Sequence, residues 1–305
     1  MHSIPYFFLD VFTQQPFGGN QLMVFLDLED QLSKETMLAM AREAKLAEIA
    51  FIKADLGPGH YRARIFTPEY EVPFAGHPSL GTAYVIHQHL SREALSSLVL
   101  ELPHGNIPID ISPAEKPGSF RYTMEQAQPA FGRTFTGKDI CTGLTIDPIG
   151  VDFNYESQVV STGLPYIIIM LRDLEALNQL QLSTERVTGW LKARGQHKSN
   201  SATGLTTSLY CVTTETEDPN HHYQGRMFCL ENGVLVEDAA TGSANGCFLA
   251  YLLKHGTAME NVIVEQGYAM GRKSLLLLDG KVENGHYTLK VGGQVVEMGS
   301  GTWRV

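Results

Sequence analysis

The spacing of apolar and polar positions changes along the chain, and each change predicts an element. Tyr6, Phe7, Phe8, Val11 and Phe12 form an aromatic and β-branched run around Asp10. Gln15-Pro-Phe-Gly-Gly-Asn20 then supplies a turn, and residues 21–26 are apolar again, a pattern that predicts a hairpin. Ser33 as N-cap, Glu35 in the first turn and a stripe of Met37, Leu38, Ala41, Ala44 and Ala47 predict a helix over 34–45. Further strands are expected at 48–52, 61–67, 97–102, 106–111 and 120–124, with 126–130 as a linker.

The second half repeats features of the first. Tyr61-x-x-Arg64-x-Phe66 recurs 162 positions later as Tyr223-x-x-Arg226-x-Phe228. Each copy leads to a turn of small residues and then an apolar helix. The first turn is Phe74-Ala-Gly-His-Pro-Ser-Leu-Gly81 and the second is Asp238-Ala-Ala-Thr-Gly-Ser-Ala-Asn-Gly246. The matching order favours duplication. The helices are apolar nearly all round, with Leu80, Ala83, Tyr84, Val85 and Ile86 in one and Cys247 to Leu253 in the other. A helix with no wet face must be enclosed, and the many short strands predict a curved sheet or barrel around each. The expected class is α+β, in two similar domains at 1–127 and 128–305, with the last strand a candidate to return to the first domain.

Composition narrows the partners. Lys plus Arg number 23 against 33 Asp plus Glu, a net charge of −10 that repels a nucleic-acid backbone. The opening Met1-His2-Ser3-Ile4-Pro5 lacks the basic flank and apolar core of a signal peptide, and no apolar run is long enough to span a bilayer. A cytoplasmic protein is expected, binding neither nucleic acid nor membrane. Cys141, Cys211, Cys229 and Cys247 are widely separated with no C-x-x-C pair, as expected for packing thiols in a reducing compartment. Eleven histidines include His87-x-His89 and His221-His222 but no H-E-x-x-H arrangement, so no metal site is expected and most histidines are read as surface residues. Neither a nucleophile elbow nor a dinucleotide fingerprint is present. Ser161-Thr-Gly-Leu-Pro165 is read as a strand-entry turn.

The chemistry concentrates in the two turns. A helix that starts with small residues leaves backbone N–H groups and partial positive charge to receive a carboxylate or an enolate oxygen. His77 in the first turn, Asp238 in the second and Ser243 beside it are candidates for acid, base and orienting group. When each turn is taken alone, Gly76, Gly242 and Gly246 are better accounted for by capping or close helix packing, and it is their repeated placement that favours a functional reading. Glu48 stands out within Leu46-Ala-Glu-Ile-Ala-Phe-Ile52. Strand alternation puts it on one face with Ala50 and Ile52, read as the inward face, where a carboxyl would be partly desolvated and suited to act as a base. A strand-end glutamate reaching solvent is the competing reading.

Asp10-Val-Phe-Thr, Pro16-Phe-Gly-Gly-Asn20, Ala47-Glu-Ile-Ala-Phe51, Arg64-Ile-Phe-Thr-Pro68, Glu71-Val-Pro-Phe-Ala-Gly-His-Pro78 and Glu237-Asp-Ala-Ala-Thr-Gly-Ser-Ala244 together resemble the PhzF-like isomerase family of phenazine biosynthesis, which is related to diaminopimelate epimerase. The resemblance implies two similar domains, each a barrel-like sheet around a central helix, with the active site between them. It also implies a cofactor-independent isomerase, a homodimer, acting on a small anionic hydroxy or amino acid that is cyclic in the family's characterised case. By this resemblance Glu48 is the proton shuttle, and His77 and Asp238 hold or protonate the substrate. Asn20, Gly76, Gly242 and Ser243 line the site. Gln21 and Ala239 stand where the family often has proline. Ala75 and Ala239 occupy the places where a two-thiol epimerase needs cysteine, which disfavours that chemistry. A binding or scaffold protein with weakened catalysis on the same fold is the alternative.

Overall fold

The structure is a computed structural model that describes residues 3–257 and 260–305, so Met1 and His2 of the opening stretch lie outside the described residues. It is a mixed α/β structure rich in strands, in which two compact units separate as Met1–Glu125 with Gly292–Val305, and Gln126–Val291. Among the described residues, no helix is long and apolar enough to cross a membrane.

In the first unit β1 (Ser3–Val11) and β2 (Asn20–Leu26) pair antiparallel, and β1 also pairs with the last strand, Val295–Arg304. The turn between β1 and β2 depends on Gly19. Its φ is +63°, and a Cβ there would lie 2.2 Å from the Val11 carbonyl oxygen. Helix α1 (Lys34–Ala44) starts at Ser33, whose side chain accepts from Thr36 N–H, and stops at Lys45 in the left-handed region. The helix is one crossover, because β3 (Ile49–Gly57) runs parallel to β2. Next come β4 (His60–Phe66), the short β5 (Glu71–Val72) and α2 (Gly76–Val85), extended by a π-helical turn at Ile86–Leu90. They lead to β6 (Ser97–Leu102), parallel to β4, and then to the antiparallel β7 (Gly105–Pro113) and β8 (Phe120–Glu125).

The two helices of this unit cover opposite sheet faces. Met37, Met40 and Ala41 of α1 pack with Phe25, Ile49, Phe51 and Phe66. Helix α2 lies against β1, β2, β3, β6, β8 and the last strand. Gly81 permits the close approach, since a Cβ there would meet Leu22 at 2.4 Å and Val11 at 3.1 Å. Strand β3 is therefore buried on both sides from Ile49 to Lys53. The alternation used to separate an inward from an outward face of this strand does not apply, as is usual for strands in parallel pairs covered by helices. Glu48 precedes the strand instead of lying in it.

The second unit contains β9 (Ala130–Phe135), α3 (Gly137–Leu144), β10 (Ser157–Ser161), β11 (Pro165–Met170), α4 (Leu174–Asn178), α5 (Thr184–Ala193) and β12 (Ser208–Thr213). It continues through β13 (Tyr223–Glu231), β14 (Val234–Asp238), α6 (Gly242–Lys254), β15 (Val262–Gln266) and β16 (Ser274–Glu283) into β17 (His286–Gly293), whose last two residues count with the first unit, as does β18 (Val295–Arg304). Helices α3 and α5 cover one apolar cluster around Trp190. Helix α6 packs on β10, β11 and β16, with every side chain from Ala244 to Leu253 buried. Residues 162–164 form the turn from β10 into β11, as expected.

Each unit builds the same local assembly. Strands β4 and β5 pair with Phe66 opposite Glu71, and β13 and β14 pair with Phe228 opposite Glu237. The guanidinium of Arg64 grips Glu71 through two hydrogen bonds of 2.7 and 2.8 Å, and that of Arg226 grips Glu237 through two of 2.9 and 2.7 Å. Arg64 also lies over the Phe66 ring at 5.2 Å, and Arg226 over Phe228 at 5.0 Å. After each gripped glutamate the chain turns into an apolar helix, then returns as a strand parallel to the first, β6 beside β4 and β15 beside β13. The repeated Arg and Phe of the sequence thus clamp the hairpin that leads into each apolar helix.

Candidate functional site

His77 is the second residue of α2, which begins after Ala75 in extended conformation with no side-chain cap. Gly76 is its first residue, so the backbone N–H groups of the first turn have no side chain satisfying them from the cap position. The imidazole is 7% exposed. One ring nitrogen donates to the backbone carbonyl of Gln21, while Nε2 is buried without a hydrogen-bond partner, so Nδ1 is the donor. Burial pushes the imidazole down to about 3, the Gln21 contact opposing this weakly, and the ring is neutral at physiological pH. The proton of the neutral ring sits on Nδ1, and Nε2 presents a lone pair.

That lone pair faces Glu48. Glu48 follows the left-handed cap of α1 at the entry to β3, with its side chain 22% exposed and Oε2 at 3.6 Å from His77 Nε2. Because His77 is uncharged, the contact is no ion pair. Asn20 is the buried first residue of β2, next to the Gln21 whose carbonyl holds the imidazole. The first unit therefore brings together Glu48, His77 and Gln21.

The second unit gathers its own set. Asp238 ends β14, and its Oδ2 accepts from Thr241 Oγ1 at 2.5 Å. Gly242 and Ser243 are the first two residues of α6, whose N-cap Thr241 makes no capping bond with its side chain. Ser243 Oγ lies 2.7 Å from the hydroxyl of Tyr166, a buried phenol that desolvation keeps protonated. Ala75 caps α2, Ala239 is buried just after Asp238, and neither place offers a thiol. Cys247 is buried inside α6, where loss of solvent pushes its thiol up to about 12, leaving it unreactive.

Thr241 and Tyr166 carry this arrangement, and Gln266 joins it by donating from Nε2 to Thr241 Oγ1 at 2.9 Å; Thr241 is part of the second small-residue turn, but the sequence signals no role for any of the three. Tyr166 opens an apolar run and Gln266 follows Glu265 at the end of a strand, so neither has a local signal. Gln21 stands where the family often has proline, and it acts on His77 through its backbone carbonyl, which residue type does not signal. As expected, most of the described histidines are exposed or partly exposed, and among the described residues only His77 is a buried histidine. His221 is 13% exposed and bonds the fully buried Glu265 at 2.8 Å, and His87 lies against Phe120 and Tyr122. No group of three or more His, Cys, Asp or Glu is arranged to hold a metal among the described residues.

The sequence profile of the family described as "Phenazine biosynthesis-like protein" matches residues 9–301, nearly the whole chain. The chain belongs to this family. A family relative, the trans-2,3-dihydro-3-hydroxyanthranilate isomerase of Pseudomonas chlororaphis, is 30% identical over 97% of this chain and 98% of its own. The crystal structure of a phenazine biosynthesis protein of the PhzF family from Bacillus anthracis matches with a TM-score of 0.87 at 25% identity, covering both chains fully. A hydroxyproline epimerase from Agrobacterium vitis shares the fold alone, with a TM-score of 0.60 at 11% identity over 98% of this chain and 92% of its own. The enzyme class that follows from family membership and from these relatives is isomerase.

Proposed function

We propose that the protein is a cofactor-independent isomerase that moves a proton on a small anionic hydroxy or amino acid, with Glu48 as the shuttle. The observation that carries this reading is the pairing of the Glu48 carboxyl with a buried, neutral His77 whose only ring proton is given to Gln21. The Nε2 lone pair can accept only from a protonated carboxyl. Glu48 thus gains an acceptor at the step in which it carries the proton taken from substrate carbon, and loses it again when the proton is returned at another position. In this reading His77 orients and receives instead of protonating the substrate. Asp238 and Ser243 hold polar substituents, Asn20 lines the site, and the helix starts at Gly76 and Gly242 receive the anionic groups.

The relative's substrate, trans-2,3-dihydro-3-hydroxyanthranilate, combines a carboxylate, an amine and a hydroxyl on a ring and is the first compound to test. Two similar domains, each a barrel-like sheet around its apolar helix with the last strand returned to the first, and a homodimeric assembly belong to the same proposal.

Turnover of that compound in deuterated water, for wild type and Glu48→Gln, is the test. Wild type is expected to convert it with deuterium incorporated at the carbon that gains the proton, and Glu48→Gln to lose at least about 100-fold in rate. Equal label uptake by the two proteins would remove Glu48 from the mechanism.

A further inference from the structure

In the second unit a chain of buried polar side chains runs from the sheet to Asp238, and its proton directions can be assigned one by one. Gln266 and Asn245 are fully buried, as is Tyr210, and Thr241 is nearly so. The Thr241 backbone N–H donates to Gln266 Oε1 at 3.2 Å, and an N–H can only donate. The other end of the same amide, Nε2, donates to the backbone carbonyl of Asp238 at 3.0 Å, and a carbonyl can only accept. These two contacts fix the orientation of the amide independently. Asn245 agrees with it. Its Nδ2 donates to Gln266 Oε1 and to the Thr241 carbonyl, both at 3.0 Å, while its Oδ1 accepts from the Tyr210 hydroxyl at 3.0 Å.

Gln266 Nε2 also donates to Thr241 Oγ1 at 2.9 Å. The hydroxyl therefore spends a lone pair on Gln266, and its single proton is directed at Asp238 Oδ2, 2.5 Å away. We propose that Gln266 and Thr241 are positioning residues of the isomerase site: the buried Gln266 amide turns the Thr241 hydroxyl toward Asp238 and holds the Asp238 carboxylate as an oriented hydrogen-bond acceptor for substrate. Asp238 then binds a donor group of the substrate, an ammonium or a hydroxyl, and does not serve as the acid. Burying four polar side chains is costly unless each finds partners, and here the chain of bonds reaches the Asp238 carboxylate. The inference rests on the reading of Asp238 as a site residue given above.

The contact itself is tested without substrate by urea unfolding of wild type, Thr241→Val, Asp238→Asn and the double variant. Thr241→Val is expected to raise the unfolding equilibrium constant about tenfold or more, and by much less when Asp238 is already Asn. Equal losses in the two backgrounds would overturn the contact. Its role in the reaction is tested with trans-2,3-dihydro-3-hydroxyanthranilate. Thr241→Val is expected to lower kcat/KM at least about tenfold, and Thr241→Ser, which keeps the hydroxyl, to restore it to within a few-fold of wild type. Gln266→Glu offers the Thr241 proton a second acceptor and is expected to resemble Thr241→Val. Thr241→Ser as impaired as Thr241→Val, or Thr241→Val as fast as wild type, would overturn the positioning role. Undiminished turnover by Glu48→Gln would instead defeat the reading of the site, while the unfolding cycle still judges the hydrogen bond.

Discussion

The burial of neutral His77 makes a quantitative prediction about acid stability. In the unfolded chain the imidazole takes up its proton near its ordinary value of 6.5, whereas in the folded protein burial pushes that value down to about 3. Between those values the unfolded chain binds a proton that the folded protein does not. The burial of the neutral ring is thus tolerated without penalty well above pH 6.5, and stability is lost as pH falls below it. Integrating between pH 7 and pH 5 gives a loss of about 2 kcal/mol from this one group. Other histidines titrate too, so the comparison that isolates His77 is wild type against His77→Gln. In urea unfolding at the two pH values, wild type should lose about 2 kcal/mol more than the variant. The Cε1–H resonance of His77 supplies a direct check, and should show no titration between pH 8 and pH 5. A titration midpoint near 6.5, or parallel losses in the two proteins, would refute the downward push by burial. The lone pair offered to Glu48 would then be lost as pH falls below that midpoint.

Two further predictions concern the scaffold that presents the site. Gly81→Ala places a methyl 2.4 Å from Leu22 and 3.1 Å from Val11, so it should destabilise by about 1–3 kcal/mol in urea unfolding, although alanine is the better helix former. No loss, or a gain, would mean that α2 is not pressed against β1 and β2 as described. Glu265 is fully buried and accepts from the backbone N–H groups of Glu217 and Asp218 at 2.9 and 3.0 Å and from His221 at 2.8 Å. In Glu265→Gln one of these donors faces an NH2 group, which should cost about 1–3 kcal/mol and loosen residues 214–222 in hydrogen exchange; unchanged exchange there would refute it.

Much of the local structure was legible because local residues decide it. Ser33 caps α1, Lys45 ends it, and the turn at Gly19 admits only a residue without a Cβ beside the Val11 carbonyl. The repeated Tyr-x-x-Arg-x-Phe was legible as duplication, but its purpose was not. Arg64 and Arg226 act through Glu71 and Glu237, and the pairing of strands brings each partner across. The face of β3 that carries Ala50 and Ile52 is buried as expected, but so is the opposite face with Ile49 and Phe51. Alternation marks an inward face only when the other face is wet, and here α1 and α2 cover both. Tyr166 and Gln266 carried no signal, since Tyr166 meets Ser243 across 77 positions and Gln266 meets Thr241 across 25.

The sequence by itself determined most elements of the first half, the two small-residue turns with their apolar helices, the family and the residue types available for proton transfer. Only the tertiary structure decided the state in which those residues are held: a neutral His77 with its proton on the side of Gln21, and a Thr241 hydroxyl aimed at Asp238. Residue type follows from covalent structure and is written in the chain. Protonation and hydrogen-bond direction follow from burial and from partners contributed by distant segments, and these exist only once the chain has folded.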